Sequence, residues 1–356
     1  IGTVDRSEAM LIEIEKKSQT YRFEAAVGEK ILYAGLRAGV PLPFECATGT
    51  CGSCKARVNE GDLDEGWPEA PGKENFKAAK REILMCQCVA QTDCNLTVPS
   101  KIKTFREDDI NPNHHLGKIT DYEKLTADVL RFEVKVPVDA PFHAGQFVVL
   151  QAPGLEGFRA YSMVNYAQST DTLEFIIKKF PGGALSNWAF ESNRLNEPLD
   201  VFGPLGHATF HPDEGHDLFM IAGGSGVAGL MSILEHARQV SYFKDHKVDL
   251  YFGVRTPDDL FFAEKLRAIK AQNPDNVSIN IVFSNEPPTS DQLSGHDGLN
   301  YLHGMVHERA LPAVKEGGEN TMHYLAGPAP MVDALIRPLI LDSKIPADKI
   351  RYDKFS

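Results

Sequence analysis

No stretch of this sequence is long and apolar enough to read as a membrane span. The longest uncharged run, Leu218 to Leu234, falls just short and is interrupted by four glycines. The opening residues, IGTVDRSEAM, carry no basic region followed by an apolar stretch, so no secretory leader is visible. Residue 1 is Ile, which leaves room for a trimmed native start, and the expectation is a cytoplasmic, reducing location without membrane contact. Basic residues are in the minority, 37 Lys and Arg against 49 Asp and Glu, for a net charge of −12. Nucleic-acid binding is excluded on that ground, because phosphate contacts need clustered Lys and Arg. Cysteine is scarce as well: six in 356 residues are too dilute for a disulfide scaffold. The remaining composition, 42% apolar and 24% charged, is that of a globular chain of two or three domains.

The few cysteines are not scattered. All six precede Asn95, and three stand in FECATGTCGSCK as Cys46, Cys51 and Cys54, with Cys86 following after a long gap. The pattern C-x4-C-x2-C with a distant fourth Cys is the spacing of a plant-type 2Fe-2S centre, whose irons are held by thiolates. Gly49 and Gly52 let the loop curl so that backbone amides face the sulfurs and tune the cluster. A zinc site is the rival reading, since Cys51-x2-Cys54 and Cys86-x-Cys88 also form two close pairs. It leaves Cys46 unexplained and needs an unusual one-residue spacing. Cys88 and Cys94 then read as small buried hydrophobes. Around the motif, YRFEAAV and CNLTVPS read as strands and KILYAGLRAG as a short helix, a small β-rich domain.

From Val98 to His115 the chain is polar and carries Pro99, Lys101, Lys103, Arg106 and Pro112, which predicts a linker with His114 and His115 facing solvent. Beyond it VLRFEVKVP, FVVLQAP, LEFIIKKF and LDVFGPLG are short strands between Gly and Pro turns, predicting a small antiparallel barrel. Two places in it suggest cofactor chemistry. In FRAYSMVN, alternation puts Arg159 and Tyr161 on one face and Ser162 on the other. A guanidinium can clamp a diphosphate, a ring can stack on a flat heterocycle and a hydroxyl can bond a ring nitrogen. In FPGGALSNWAF, Gly182 and Gly183 precede a helix whose first turn, with Ser186, suits a phosphate. Either motif alone is weak.

The last third alternates strand and helix, the mark of a parallel sheet with crossover helices. HDLFMIAGG leads into a helix from Val227 to about Val240, then VDLYFGV, a short acidic helix and SINIVFS. Gly224, Gly226 and Gly229 match GxGxxG after the first strand, yet Asp249 falls at the start of the next strand rather than its end. The match is therefore not the ordinary dinucleotide fingerprint, although a glycine turn opening a helix still favours a diphosphate. LAGPAPMVDAL is a second such turn.

Taken in order, these regions resemble the NADH-dependent reductase components of bacterial multicomponent aromatic and alkane oxygenases, over nearly the whole chain from Met10 to Phe355. The resemblance implies a multidomain α+β and α/β protein: a β-grasp 2Fe-2S ferredoxin domain with its linker over 1–105, an antiparallel β-barrel FAD domain over 106–213, and a parallel-sheet α/β nicotinamide-binding domain over 214–356. It implies metal ligation by Cys46, Cys51, Cys54 and Cys86. It implies FAD held by Arg159, Ala160, Tyr161, Ser162, Lys178, Gly182, Gly183 and Ser186, with Ser162 and Phe355 at the reacting ring. The nicotinamide site would be lined by Gly223, Gly224, Ser225, Gly226, Gly253, Arg255, Gly327, Pro328 and Met331. FxAGQF at Phe142 to Phe147 and GPLG at Gly203 to Gly206 fit the barrel's landmarks. Two departures stand out: Gly229 replaces the family's usual Pro, and Ala326 its usual Cys.

NADH gives two electrons together, whereas a 2Fe-2S cluster takes one at a time, and flavin can divide the pair. The expected route is NADH to FAD to the cluster to an oxygenase, either a Rieske dioxygenase or a di-iron monooxygenase, with the reductase a monomer. Arg255 could favour NADPH, but Asp258 and Asp259 beside it repel a 2′-phosphate and point to NADH. Glu60, Asp62, Asp64, Glu65 and Glu69 form an acidic run with no Lys or Arg, either a solvated loop or a docking patch for a basic partner. Residues 1–100 hold 12 Lys and Arg against 15 Asp and Glu, so docking rests on this local run and not on the total charge. Two alternatives stand beside this reading: a zinc-stapled binding protein, which would be colourless, and a stand-alone flavin oxidoreductase with another electron acceptor.

Overall fold

The computed structural model describes residues 9–17, 19–100, 106, 108–293, 297–314 and 320–355. Lys101 and Lys103 of the expected linker lie outside the described residues.

In the first sheet, β1 (Met10–Lys16) and β2 (Gln19–Ala25) form an antiparallel hairpin, with Met10 opposite Ala25. Alternation sends Ile12 and Ile14 of β1 and Phe23 and Ala25 of β2 into the core. Helix α1 (Ile31–Arg37) closes over that face with Ile31, Leu32, Tyr33 and Leu36 buried. After it come β3 (Lys55–Glu60), β4 (Leu63–Asp64), β5 (Glu82–Leu84), β6 (Val89–Ala90) and β7 (Cys94–Thr97). The sheet order is β2-β1-β7-β3-β5, with β7 parallel to β1, and β4 and β6 form a separate pair. This mixed sheet grasping one helix is the ferredoxin-like domain expected from the cysteine pattern.

The second sheet is built from β8 (Asn113–Lys124), β9 (Val129–Lys135), β10 (Phe147–Gln151), β11 (Arg159–Ser162), β12 (Thr172–Lys178) and β13 (Pro198–Leu205), in the order β11-β10-β13-β8-β9-β12. Helix α2 (Ala184–Glu191) follows β12. The linker reading overruns here: His114 and His115 belong to β8. His114 is also not simply solvated, because it bonds Glu29 at 3.4 Å and packs on Phe202 with ring centroids 4.5 Å apart. Most of β8 alternates between half-exposed and exposed positions, so its composition looks like a loop although its backbone is paired.

The third sheet is parallel: β14 (Asp217–Gly223), α3 (Val227–Gln239), β15 (Val248–Val254), α4 (Ala263–Gln272), β16 (Val277–Phe283), α5 (Ser290–Leu293), β17 (Asn300–His303), α6 (Val306–Val314), β18 (Thr321–Pro328), α7 (Ala329–Leu341) and β19 (Ile350–Phe355). Its strand order is β17-β16-β15-β14-β18-β19. The long uncharged run is thereby accounted for, as a buried strand, a tight turn and a buried helix. Met220 and Ala222 face the core under α3, while Phe219 and Ile221 face the core under α6 and α7. Both faces of β14 are covered, which is why its sequence is continuously apolar. The expected short acidic helix is the single 3-10 turn Pro257–Asp259, and the longer α4 after it, AEKLRAIKAQ, carries more Lys and Arg than Glu.

The described residues of 1–116, 148–160 and 200–205 form one compact unit, and those of 117–147, 161–199 and 206–356 another. Among the described residues, no helix is long and apolar enough to cross a membrane.

Candidate functional site

The cysteine loop turns because its glycines can do what other residues resist. Gly49 and Gly52 have φ of +95° and +80°, and a Cβ on Gly52 would come within 2.8 Å of the Gly72 carbonyl. The loop is clamped from two sides. Gly72 donates its amide to the Gly49 carbonyl at 2.9 Å, and Tyr33 donates its hydroxyl to the Ala47 carbonyl at 2.9 Å. All four proposed ligands are free thiols, with Cys54 and Cys86 buried, Cys46 half-buried and Cys51 exposed. Cys46 lies beside Cys51 and Cys54 beside Cys86, near enough for each thiol to shift its neighbour's titration. Hydrogen bonding from Cys51, with help from Thr50 and the Thr48 amide, pulls the Cys46 thiol down to about 4 despite its burial. Cys51 and Cys54 are pushed above the ordinary thiol range, Cys51 first by Cys46 and Cys54 first by Cys86, with burial adding to both.

Two pairs of thiols, one pair for each iron, are the donor set of a 2Fe-2S centre. Donors already aim at the sulfurs: the Thr48 amide at Cys46 Sγ and the Ser53 amide at Cys51 Sγ, each 3.4 Å, and Gln87 Nε2 at Cys86 Sγ, 3.6 Å. Such hydrogen bonds favour the thiolate and set cluster potential. Cys88 and Cys94 are buried apart from this set, and burial is the first cause of their raised thiol pKa values.

On β11, Arg159, Ala160 and Tyr161 are half-buried and Ser162 is buried. Among the described residues no carboxylate pairs with Arg159, whose guanidinium donates only to the Phe158 carbonyl at 2.9 Å. Helix α2 opens without a side-chain cap, leaving first-turn amides for an anion. Gly182 precedes it at φ +76°. Ser186 is committed differently from the expectation: its buried hydroxyl accepts the Phe180 amide at 3.1 Å and donates to the Gly183 carbonyl at 3.2 Å, closing the turn. The half-buried Tyr161 ring and the uncapped start of α2 suit a flavin dinucleotide.

The parallel sheet aligns the remaining residues across its carboxyl ends. Gly223 stands opposite Gly253, Ala222 opposite Ala326, Ala326 opposite Asp353, and Pro328 opposite Phe355. Strand order reverses beside β14, and the turn Gly224–Gly226 follows β14, at the switch point where doubly wound sheets take ligands. A Cβ on Gly223 would lie 2.7 Å from Met331 Sδ, and one on Gly226 would lie 2.5 Å from the Ala326 carbonyl oxygen. Gly253 does not present an open face, because α6 covers it with Val306 at 2.8 Å from a Cβ there. At Gly229 α3 lies against β11, where a Cβ would meet Ser162 Cβ at 3.5 Å, an ordinary contact. The fully buried Ser232 fixes that approach by accepting the Gly145 amide and donating to the Gly229 carbonyl, both at 2.8 Å.

Lys178 and Arg255 share a partner that the sequence did not disclose. Asp128 Oδ2 is 2.7 Å from Arg255 Nη2 and 3.4 Å from Lys178 Nζ, and Asp259 Oδ1 bonds the same Arg255 nitrogen at 2.8 Å. Asp128 lies in the tight turn between β8 and β9, whose only signal was the turn-forming TAD. Ser232 was likewise hidden, as one hydroxyl inside an apolar helix.

A thiol quartet on a ferredoxin fold, joined to a flavin-type barrel and a parallel nucleotide-binding sheet, defines an iron-sulfur flavoprotein oxidoreductase. The 2Fe-2S iron-sulfur cluster binding domain profile matches residues 14–91, the oxidoreductase FAD-binding domain 116–210 and the oxidoreductase NAD-binding domain 220–336. The ferredoxin–NAD(+) reductase component of the alkene monooxygenase system of Xanthobacter autotrophicus is 33% identical over 334 residues, 94% of this chain and 97% of that protein. The ferredoxin–NAD(P)(+) reductase CarAd of Metapseudomonas resinovorans is 33% identical over 330 residues, 92% of this chain and 95% of that one. Among solved structures, a ferredoxin reductase in carbazole 1,9a-dioxygenase superposes with TM-score 0.82 at 31% identity, covering 98% of this chain and 99% of that one. The chain belongs to the family of NAD-dependent reductase components of bacterial oxygenase systems, which combine 2Fe-2S, FAD and NAD domains. The zinc-stapled reading is thereby replaced.

Proposed function

We propose that this reductase takes hydride from NADH and delivers single electrons through the cluster domain to the oxygenase component of its system. The observation that carries the reading is the pairing of four thiols in a ferredoxin fold within a chain that also holds both nucleotide-binding domains. Flavin, when bound, supplies the conversion between two-electron and one-electron chemistry. The chain's own residues position the partners. In this reading Arg159 and the first turn of α2 bind the diphosphate, Tyr161 covers the ring, and Ser162 bonds its reactive edge. Lys178, Gly182, Gly183 and Ser186 shape the same site, and Phe355 shields the ring from water. The row Gly223–Gly226, Gly327, Pro328 and Met331 seats the nicotinamide, while Cys46, Cys51, Cys54 and Cys86 hold the cluster. The domains run 1–105, 106–213 and 214–356.

NADH is preferred over NADPH because Arg255 is already neutralised by two carboxylates. The acceptor is a Rieske or di-iron oxygenase component with a basic rim. Glu60, Asp62, Asp64, Glu65 and Glu69 are all exposed, and among the described residues Glu65 alone of them pairs with a cation, Lys73. Such a patch speeds encounter without tight binding. Free thiols and the absence of a spanning helix among the described residues suit a cytoplasmic setting, and every proposed site is built within one chain.

The test uses two acceptors. Wild-type protein should reduce both ferricyanide and the basic protein cytochrome c with NADH, and Cys86→Ser should keep the first activity and lose most of the second. Equal loss of both, or loss of neither, contradicts the route. Rising salt should slow cytochrome c reduction and leave ferricyanide reduction nearly unchanged.

A further inference from the structure

We infer that Asp128, a residue of the flavin sheet and not of the nucleotide-binding domain, sets the coenzyme preference by occupying Arg255. Arg255 stands one residue past the end of β15, at the carboxyl edge of the parallel sheet, where a dinucleotide's adenosine ribose is read. An arginine there is the ordinary means of taking a 2′-phosphate, because its planar fork binds phosphate oxygens two at a time. In this chain the fork is spent. One terminal nitrogen is bonded to Asp128 at 2.7 Å and to Asp259 at 2.8 Å, and the guanidinium remains half exposed, so a ligand could reach it if the carboxylates released it.

Both carboxylates are held in place. Asp259 accepts the Thr256 amide at 3.2 Å and its hydroxyl at 3.0 Å, closing the turn at Pro257–Asp259. Asp128 is fixed through its main chain: its amide donates to Thr126 Oγ1 at 3.3 Å and its carbonyl accepts the Lys179 amide at 2.7 Å. It also faces the ammonium of Lys178 at 3.4 Å, so two cations and two carboxylates balance to zero. A 2′-phosphate, carrying about −1.5 to −2 at neutral pH, would have to displace Asp128 from both cations while approaching Asp259. A ribose hydroxyl carries no such charge and meets no such repulsion. The discrimination comes from the repulsive element, and releasing Asp128 would leave Lys178 and Arg255 as a basic pair suited to phosphate.

The inference rests on the reading of this sheet edge as the adenosine site, and its test separates the two. Binding of 5′-AMP and of 2′,5′-ADP is measured by calorimetry on the FAD-loaded protein, together with kcat/KM for NADH and NADPH. Asp128→Asn keeps the side chain's size and removes its charge, and Asp259→Asn does the same from the other side. In either folded variant the ratio of 2′,5′-ADP to 5′-AMP affinity should rise about tenfold, with a matching rise in NADPH over NADH preference carried by KM. Adding Arg255→Gln should abolish the gain. An unchanged affinity ratio in both variants, or a gain that survives Arg255→Gln, overturns the role of Asp128. Failure of wild-type protein to bind 5′-AMP at all would instead overturn the placement of the adenosine site.

Discussion

Tyr33 donates its hydroxyl to the carbonyl of Ala47 at 2.9 Å, from a position fully inside the first domain, and Ala47 is the residue that follows the proposed ligand Cys46. Ala47 itself adopts φ +57°, a left-handed conformation that a residue with a Cβ resists. The tyrosine therefore pins the loop at its most strained point, while its ring stacks on Phe202 at 4.4 Å. Removing the hydroxyl in Tyr33→Phe leaves a buried carbonyl unpaired, at about 1–2 kcal/mol. The variant should lose its cluster absorbance faster in guanidinium while its flavin is retained. Equal rates of loss would show that the hydroxyl does not restrain the loop.

Glu29 gives the same domain a pH dependence. Burial raises its pKa, but hydrogen bonds from His114, from both arms of Arg37 and from the Ala26 amide outweigh burial and hold it at about 2, below the usual 4.5. A depressed carboxyl contributes stability that is complete above the unfolded value and lost as pH falls from about 4.5 towards 2. The contribution is on the order of 2–3 kcal/mol. Glu29→Gln should lower stability at pH 7, and the gap to wild type should shrink as pH falls through that window. A gap of constant size would contradict the assignment.

The turn after β14 has no room for a side chain at position 226. A Cβ at position 226 would meet the Ala326 carbonyl carbon at 2.6 Å and Gly327 Cα at 2.7 Å, both of them backbone. Gly226→Ala should cost about 1–3 kcal/mol and weaken NADH binding more than tenfold, because the turn can relax only by moving away from β18. A Gly224→Ala variant is the control, since space is open there and only its φ of +54° opposes the change. Equal effects at both positions would remove steric contact as the cause.

Ala326 stands where the family usually has a cysteine, at the carboxyl end of β18 and opposite Ala222 on one side and Asp353 on the other. Hydride transfer needs no proton donor from this position, so a missing thiol loosens the encounter without abolishing it. Ala326→Cys should speed flavin reduction by NADH in stopped flow by roughly threefold, the scale of one side-chain contact realised at the reacting edge. An unchanged rate sinks the idea.

Much of this was legible in the sequence, for identifiable reasons. The cysteine spacing disclosed the first domain because ligand geometry forces the loop, and the run from Leu218 to Leu234 disclosed a buried strand and helix because both faces of β14 are covered. His114 was misplaced because a strand with mostly polar side chains has no apolar period to read. Ser186 was assigned to phosphate on its position at a helix start, whereas its hydroxyl closes the turn before the helix. Asp128 and Ser232 were invisible for a different reason: Asp128 reaches Arg255 127 positions away and Ser232 reaches Gly145 87 positions away, and no local pattern announces such a contact.

In the proposed function, NADH electrons pass through flavin into a cluster held by the four thiols. Anaerobic titration with NADH, followed by visible absorbance, tests it most directly. Flavin accepts two electrons and the cluster one, so about 1.5 equivalents per chain should be consumed. Both chromophores should bleach in wild type, and only the flavin, with about one equivalent, in Cys86→Ser. Uptake that stops near one equivalent in wild type, with the cluster bands intact, would contradict the account.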